Sequence, residues 1–325
     1  MITVSKKLPE GLVVPIIADT RYLLSISGIV DYGYFIDGKK ILPFVIRKKM
    51  FLKWMQIDCA PIGCSSKNDS QQFVDSIVEY VKKGSSVSCI SSTNTALFPC
   101  VPTDSFYCLF GTYLVDLDKD EALLFSSLHS KHRNSIRKAQ SNSVVVEHGE
   151  HCARDVIELM NNTYGRQNKI SAIGENYISR MKNLGNNVDF WLARSCDGTP
   201  QGSAIFLWSK GHTCYYLHGG SSSHTVSGSM NLLIWEAMLE MKKRGVRYFD
   251  FVGARLKPEP GSKQEGIQRF KSRFGADLKT GYMFRVVIDP IMYHLFTFCI
   301  NVYHLIKEHK FANDVISEER LKGNY

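Results

Sequence analysis

Three side chains in the second half of the chain could move a proton during a reaction. Tyr216 and His218 lie in the apolar segment His212–Gly220, and Asp250 lies in the segment Val246–Gly253. Enzymes use these residue types as general acids and bases. We therefore take Tyr216, His218 and Asp250 as candidate catalytic residues. The alternative is that Tyr216 packs within a strand and that Asp250 pairs with a nearby lysine or arginine.

A serine- and glycine-rich loop and the two helices predicted after it could bind an anion. The loop Ser221–Ser229 ends in Gly228 and Ser229 and leads into a predicted helix, Met230–Gly245. The free N–H groups and the positive end of a helix favour phosphate. Three basic residues of a second predicted helix, Gly266–Gly275, could supply cationic contacts: Arg269, Lys271 and Arg273.

A further basic segment follows a run of acidic residues that could cap a helix beginning near Asp116. Arg133 and Arg137 are four residues apart and would therefore share one face of that helix. This face is either a substrate-binding surface or an ordinary solvated helix face.

The sequence lacks the motifs that several other chemistries require. The chain contains no GxSxG, HExxH, EF-hand or GxxxxGK[ST] motif, so it gives no support for that hydrolase type, for a metal site or for P-loop chemistry. Cys214 lies near His212 and His218, but strand alternation with Tyr215 favours packing over a thiol nucleophile. Acyl transfer without a covalent enzyme intermediate remains, in which the protein positions an amine beside an activated carbonyl and stabilises the oxyanion.

The composition is that of a globular protein with a basic bias. The chain has 325 residues, enough for two domains, with 44% hydrophobic residues, 22% charged residues and a formal net charge of +9. This charge favours anionic partners, although many soluble proteins are basic without a specific site. Nine cysteines without a CxxC pair indicate a reducing compartment. We expect a cytoplasmic protein that could also contact the inner face of the cell membrane.

Strand-like segments alternate with helices along most of the chain. The first third predicts strands at Val30–Asp37, Lys40–Lys48 and Lys53–Asp58, then a helix ending at Gly84 and capped by Ser70. No internal repeat is visible in the letters. We predict domains at residues 1–117 and 118–288, followed by a helical tail at 289–325.

The tail combines a helical pattern with an apolar stripe. A helix predicted after Pro290 places Ile291, Leu295, Phe298, Cys299, Val302 and Ile306 on one broad stripe. The stripe either packs on the core or lies in a bilayer interface, which aromatic residues and positive charge would favour.

Four segments together resemble a known family. YYLHGGSS (Tyr215–Ser222), LLIWEAMLEMKKRGVRYFDFVG (Leu232–Gly253), GIQRFKSRFGADL (Gly266–Leu278) and the upstream HSKHRNSIRKAQSNSVVVEHG (His129–Gly149) are similar to the GNAT-fold Fem-type transferases. These are the peptidoglycan-bridge aminoacyltransferases and their shorter acyltransferase relatives. The resemblance spans about Leu23–Phe284.

The resemblance implies an α+β fold of tandem GNAT-like domains, with mixed, mostly antiparallel sheets flanked by helices and a C-terminal amphipathic helix added. His212–Gly219, including Gly219, matches the strand before the split in the central sheet. Lys271 matches the family's F-K lysine, which is associated with substrate phosphate and the reacting carbonyl. Arg133 and Arg137 match the basic helix.

The expected activity is N-acyl or aminoacyl transfer to an amine of a cell-envelope precursor, an amine-bearing sugar or peptide. No tightly bound cofactor is expected, and the co-substrate is acyl-CoA or aminoacyl-tRNA. The donor stays open, because the chain lacks the long helical hairpin associated with tRNA and its Ser221–Ser229 loop departs from the [QR]-x-x-G-x-[GA] pattern. The alternatives are a soluble acyl-CoA-dependent transferase of a small amine or amino sugar, and a non-catalytic binder of anionic membrane or nucleic acid.

Overall fold

A computed structural model describes residues 2–84, 86–166, 174–308 and 314–325 of the chain. The strands are β1 (Thr3–Ser5), β2 (Ile29–Asp37), β3 (Lys40–Lys49), β4 (Leu52–Ile57), β5 (Cys89–Ser92), β6 (Phe106–Asp116), β7 (Val145–His148), β8 (Val188–Arg194), β9 (Pro200–Trp208), β10 (Thr213–Ser221), β11 (Tyr248–Asp250) and β12 (Asp277–Val287). The helices are α1 (Thr20–Ser25), α2 (Lys67–Gly84), α3 (Glu121–Ser127), α4 (Ser130–Ser141), α5 (Ala153–Gly165), α6 (Glu175–Lys182), α7 (Ser229–Lys243), α8 (Lys263–Ser272), α9 (Pro290–Glu308) and α10 (Val315–Leu321). This mixture of strands and flanking helices confirms the predicted fold class.

The strands within the described residues form one sheet in the order β1-β2-β3-β4-β5-β12-β6-β11-β10-β9-β8-β7. Neighbouring strands are antiparallel except at two places, where β4 runs parallel to β5 and β10 runs parallel to β11. Each parallel pair is joined through a helix, α2 in the first case and α7 in the second. The chain therefore contains the same strand–helix–strand arrangement twice, although the letters show no repeat.

The middle of the sheet is built by strands exchanged between the two halves. β12, from the second half, pairs with β5 of the first half, whereas β6 pairs with β11 of the second half. β12 and β6 pair with each other from Asp277↔Leu114 to Arg285↔Phe106. The proposed boundary between residues 117 and 118 thus lies just after a strand that both halves share.

Three large buried clusters stabilise the two faces of the sheet. One lies between α2 and the first-half strands and includes Phe73 and Phe284. A second lies under α4 and α7 and includes Ile136 and Phe249. The third combines residues of both halves, among them Tyr34 on β2 and Met160 on α5. Burial of such side chains is the main driving force for folding.

Several local predictions differ from the structure. Ser70 is not a helix cap, because α2 begins at Lys67 and the Ser66 hydroxyl accepts the Asp69 N–H. The predicted helix after Asp116 is two helices, α3 and α4, separated at Leu128–His129. The strand β12 was not predicted.

The predicted tail stripe faces solvent over most of its length. Ile291, Phe298 and Ile306 are 79%, 66% and 72% exposed. The opposite side of α9 faces the sheet, where Phe296 contacts Phe51 edge-on and Tyr293 accepts a hydrogen bond from Arg285. Apolar residues therefore occur on both sides of this helix. Within the described residues, we find no helix with the length and apolar character needed to cross a bilayer.

Candidate active site

The site lies where β10 and β11 separate. Their parallel pairing ends at Tyr215↔Asp250, and a bulge in β10 at Leu217 shifts its register against β9. A bulge bends its strand and increases the local twist. Beyond this point the strands border a cavity of about 620 Å³. Its walls combine the end of β10, the end of β11, one face of α8 and one residue of the first half: Asn94, Tyr216, Leu217, His218, Gly219, Phe251, Val252, Lys263, Gly266, Ile267, Phe270 and Lys271.

Tyr216 and Gly219 are packed against each other at one wall of this cavity. A β-carbon added at Gly219 would lie 1.8 Å from the Tyr216 hydroxyl oxygen, which no real contact allows. Gly219 is therefore the residue type that lets the Tyr216 ring lie along the strand. Burial raises the pKa of Tyr216, so the hydroxyl keeps its proton at neutral pH and can donate a hydrogen bond.

His218 lies beside two tyrosines. Its Nδ1 is 3.3 Å from the Tyr164 hydroxyl, and its ring contacts the Tyr177 ring edge-on at 5.5 Å between centroids. Burial lowers the pKa of His218 to about 4. The imidazole is therefore neutral at pH 7 and has a nitrogen that can accept a proton or a hydrogen bond.

Asp250, Val252 and Lys271 form a connected group, of which Val252 and Lys271 line the cavity and Asp250 does not. The Asp250 carboxylate accepts hydrogen bonds from the Thr112 hydroxyl and, at 2.7 Å, from the Val252 N–H. Val252 has a φ of 48°, which is unusual for a β-branched residue. This conformation places the Val252 and Gly253 carbonyls 2.5 and 2.7 Å from the Lys271 ammonium.

The ammonium group of Lys271 is held in a desolvated position. Burial lowers the pKa of Lys271 to about 8, while attraction to the Asp250 carboxylate opposes this decrease. Burial also raises the pKa of Asp250, and its hydrogen bonds to Thr112 and Val252 oppose that shift. At neutral pH the lysine is still mainly charged, so the cavity lining combines one cation with neutral His218 and Tyr216.

Apart from Lys271, the predicted basic residues do not line the cavity. These four arginines lie on α4 and at the C-terminal part of α8. Arg133 donates hydrogen bonds to the Ser126 and Leu128 carbonyls at the end of α3. Arg137 lies over the Phe125 ring. The two helices dock through a buried histidine, because His132 Nε2 is 3.0 Å from the Phe270 carbonyl oxygen.

The two arginines of α8 have different surroundings. Arg269 is exposed and pairs with Glu265 at 3.5 Å. Arg273 ends the helix, and its carbonyl accepts the His129 N–H at 2.9 Å. Both arginines therefore make contacts within the fold, which gives them structural roles.

Gly228 and Ser229 also have packing roles. Gly228 has a φ of 89°, and a β-carbon there would lie 2.0 Å from the Ser135 carbonyl oxygen of α4. Ser229 is buried and donates to the Val226 carbonyl at 2.7 Å. Glycine is thus required at this position for the close approach of α4 to the start of α7.

Sequence reasoning missed three polar residues, one of which lines the cavity. This residue is Asn94, from the loop after β5. Arg180 lies over the Tyr177 ring. Burial lowers the pKa of Arg47, the Asp58 carboxylate opposes this decrease, and the charge of Arg180 lowers the pKa further. The Nε atoms of both arginines are buried without a hydrogen-bond partner within the described residues. The signal was hidden because Arg47, Asn94 and Arg180 are far apart in the sequence.

Comparison with known proteins identifies the domain that contains the β10/β11 pair. Residues 126–272 match the model of the acetyltransferase (GNAT) domain, a range that contains α4, the β10/β11 pair and Lys271. The chain thus carries a GNAT-type acyltransferase domain, and it is an acyltransferase. No curated protein sequence matches the chain.

Three solved structures share the fold over most of the chain. The crystal structure of FemX has 15% identity and a TM-score of 0.65, with 86% of this chain and 94% of that chain covered. The C-terminal domain of a putative lysylphosphatidylglycerol synthetase from Agrobacterium fabrum has 16% identity and a TM-score of 0.54, covering 89% of this chain and 92% of that one. A protein of unknown function from Bacteroides thetaiotaomicron has 11% identity, a TM-score of 0.53 and coverages of 82% and 89%.

Proposed function

We propose that the chain transfers an acyl or aminoacyl group from an activated donor to the amine of an anionic cell-envelope precursor, a peptidoglycan or polysaccharide intermediate. The observation that carries this proposal is the cavity where β10 and β11 separate, which is lined by Lys271, Tyr216 and His218 together. The similarity to FemX in fold supports the precursor class.

The proposed reaction forms one C–N bond and breaks one carbonyl–heteroatom bond. The acceptor amine attacks the carbonyl carbon of the donor, and the oxyanion that forms is stabilised by the Lys271 ammonium. The intermediate then expels the thiolate of CoA, or the ribose oxygen of tRNA if that is the donor. The proton lost by the amine passes to neutral His218 and from there to the leaving group, towards which the Tyr216 hydroxyl donates a hydrogen bond.

Two partly buried arginines support an anionic acceptor. Arg47 and Arg180 both keep a buried Nε without a partner among the described residues. Arg180 lies over the Tyr177 ring, which also contacts His218, and Arg47 also donates to the Gln56 amide oxygen at 2.8 Å. An unsatisfied buried N–H group is costly, so an anion that accepts a hydrogen bond from each Nε would be favoured. We place the phosphate or carboxylate of the acceptor here. This gives Arg47 and Arg180 a binding role, and Arg133, Arg137, Arg269 and Arg273 at most a peripheral one.

The direct test is acyl transfer by the purified chain. Acyl-CoA and charged tRNA are offered in separate reactions, each with amino-sugar and muropeptide acceptors, and the products are followed by mass spectrometry. Product formation with an envelope precursor is expected, together with its loss in Lys271→Ala and Tyr216→Phe. If both variants keep wild-type turnover, the assignment of the site is wrong.

The second candidate is an acyl-CoA-dependent transferase of a small amine or amino sugar. The GNAT domain match favours acyl-CoA as the donor, and this candidate needs no envelope precursor. Thermal-shift measurements separate the two, because a ligand that binds only the native state raises its apparent stability. Stabilisation by CoA and by small amino sugars, but not by nucleotide- or lipid-linked precursors, would favour it. We place either reaction in the cytoplasm, since all nine cysteines are free thiols.

A further inference from the structure

The outward side of α9 is an apolar surface that the fold leaves uncovered. We define the α9 stripe as Ile291, Leu295, Phe298, Val302 and Ile306, which follow one another at helical spacing on one side. All five are exposed, and the stripe contains no charged residue. Among the described residues nothing packs over it, and a contiguous exposed apolar surface of this kind marks an interaction site.

A second exposed apolar element adjoins this helix. The end of the β3–β4 hairpin, which we call the β3–β4 tip, consists of the last two residues of β3, Lys48 and Lys49, and the turn residues Met50 and Phe51. Met50 is 60% exposed and Phe51 is 38% exposed, and the Phe51 ring contacts Phe296 of α9 at 6.1 Å between centroids. The tip is therefore fixed beside α9.

The charges at the tip indicate the chemistry of the partner. Lys48 and Lys49 are exposed next to the apolar pair, and the chain as a whole has a net charge of +9. Lysines can extend their ammonium groups to lipid phosphates while the apolar side chains enter the acyl region. A second copy of the chain would instead bring these positive tips towards another basic protein.

We infer that the α9 stripe and the β3–β4 tip together dock the protein onto an anionic lipid bilayer. The helix lies in the plane of the interface with Phe298 and its apolar neighbours among the acyl chains. The lysines of the tip contact the anionic headgroups. This inference does not rest on the proposed function, since it requires no substrate and no turnover.

The test is co-sedimentation of the full chain with vesicles of phosphatidylcholine, alone or mixed with phosphatidylglycerol. Binding to the anionic vesicles is expected, with weaker binding to the neutral ones and a decrease as salt is raised. The double variant Phe298→Gln/Ile306→Gln should weaken binding at least about tenfold, because it removes apolar surface that would enter the bilayer. Both residues are exposed, so the fold should be retained.

Two matched controls distinguish binding through the α9 stripe and the β3–β4 tip from effects of any exposed apolar residue or of net charge. Leu123→Gln removes an exposed apolar side chain from α3 and should leave binding unchanged. Lys48→Glu/Lys49→Glu should abolish the preference for phosphatidylglycerol. Lys82→Glu/Lys83→Glu, exposed at the end of α2, makes the same change in net charge and should preserve it.

Three outcomes would overturn the inference. The first is no vesicle binding, and the second is binding that the Phe298→Gln/Ile306→Gln variant retains. The third is a concentration-dependent dimer, seen by light scattering, that this variant dissociates, since that would assign the α9 stripe to a second copy of the chain.

Discussion

The two parallel strand pairs of this sheet share one topology but differ in what lies beyond their last paired residues. At the β4/β5 pair, the space after Ile57↔Ser92 is filled by a hydrogen-bond network. The buried Asp58 carboxylate accepts the Thr93 hydroxyl at 2.6 Å and the Gln56 amide at 2.9 Å, and the Thr95 hydroxyl donates to the Asp58 carbonyl. This end of the pair is closed.

At the β10/β11 pair, the equivalent space is a cavity. The carboxylate there, Asp250, is bonded to Thr112 on the neighbouring strand β6 and to the Val252 N–H. The backbone then turns away through Val252 and Gly253, both at positive φ, towards Lys271. The two carboxylates lie on different strands of their pairs, since Asp58 directly follows the first strand β4 and Asp250 ends the second strand β11. They have opposite effects, because Asp58 closes its strand junction and Asp250 supports a charged lysine beside an open one.

The difference shows how a repeated fold can carry a single reaction site. A polar network stabilises the closed junction, whereas the open junction contains a desolvated lysine and a strained valine that reduce stability. The first half still contributes to the site, because Asn94 follows β5 and reaches the cavity.

The largest expected effect is that of Lys271→Met. Loss of the cation should lower kcat/KM by about a hundredfold or more, because a donor aimed at the oxyanion is removed. The variant should also unfold at a higher temperature at pH 7. The pKa of Lys271 is lowered in the folded state to about 8, so keeping the ammonium buried costs stability at any pH below that value. A variant with full activity, or one with a lower melting temperature, would contradict the role of the open junction.

Asp58→Ala is the corresponding change at the closed junction. It should destabilise the fold by about 1–3 kcal/mol in urea titrations, because the Gln56 and Thr93 donors lose their acceptor. We expect kcat of the folded variant to change by less than about threefold, since neither donor lines the cavity. A large loss of kcat with normal stability would show that both junctions take part in the chemistry.

Gly219→Ala should have an intermediate effect. The added methyl group would displace the Tyr216 hydroxyl, and kcat/KM should fall about tenfold because the positioning of the ring is lost. Gly84→Ala, at the end of α2 in the first half, is the control, because a β-carbon there meets open space. Equal effects of the two substitutions would disprove the packing argument.

The smallest expected effect is a change in pH dependence. Activity should decrease as the pH rises through about 8, where Lys271 loses its proton. Asp250→Asn should move this alkaline decrease to lower pH, because the Asp250 carboxylate favours the charged lysine. Lys271→Arg should remove the decrease from this pH range, and Asp58→Asn should leave it in place. The test is the pH dependence of kcat/KM for the wild type and for the Asp250→Asn, Lys271→Arg and Asp58→Asn variants.

The sequence predicted the strand segments around the site well because their signals are local. The hairpin β2–β3 and the succession β8, β9, β10, α7 follow from short apolar runs separated by turn residues. Tyr216 was chosen from β10 and Lys271 from the basic helix that became α8, and the structure brings both to the cavity.

The missed features depend on contacts between distant residues. β12 follows the basic helix without a turn signal of its own, and its strand character comes from pairing with β5 and β6, more than 160 residues earlier. The arginines Arg133 and Arg137 looked like binding residues because spacing on a helix does not reveal that Arg133 caps the neighbouring α3. Arg47 and Arg180 could not be associated before the first-half strands and α6 were placed together.

The exchange of β6 and β12 has a consequence for how the protein is made. During synthesis, β5 emerges long before β12, the strand that covers its free edge. An uncovered strand edge can pair with another chain, so the nascent first half is exposed to aggregation until residues 277–287 have left the ribosome. We expect productive folding to wait for this late segment, and chaperones that bind exposed strand edges to matter most during that interval.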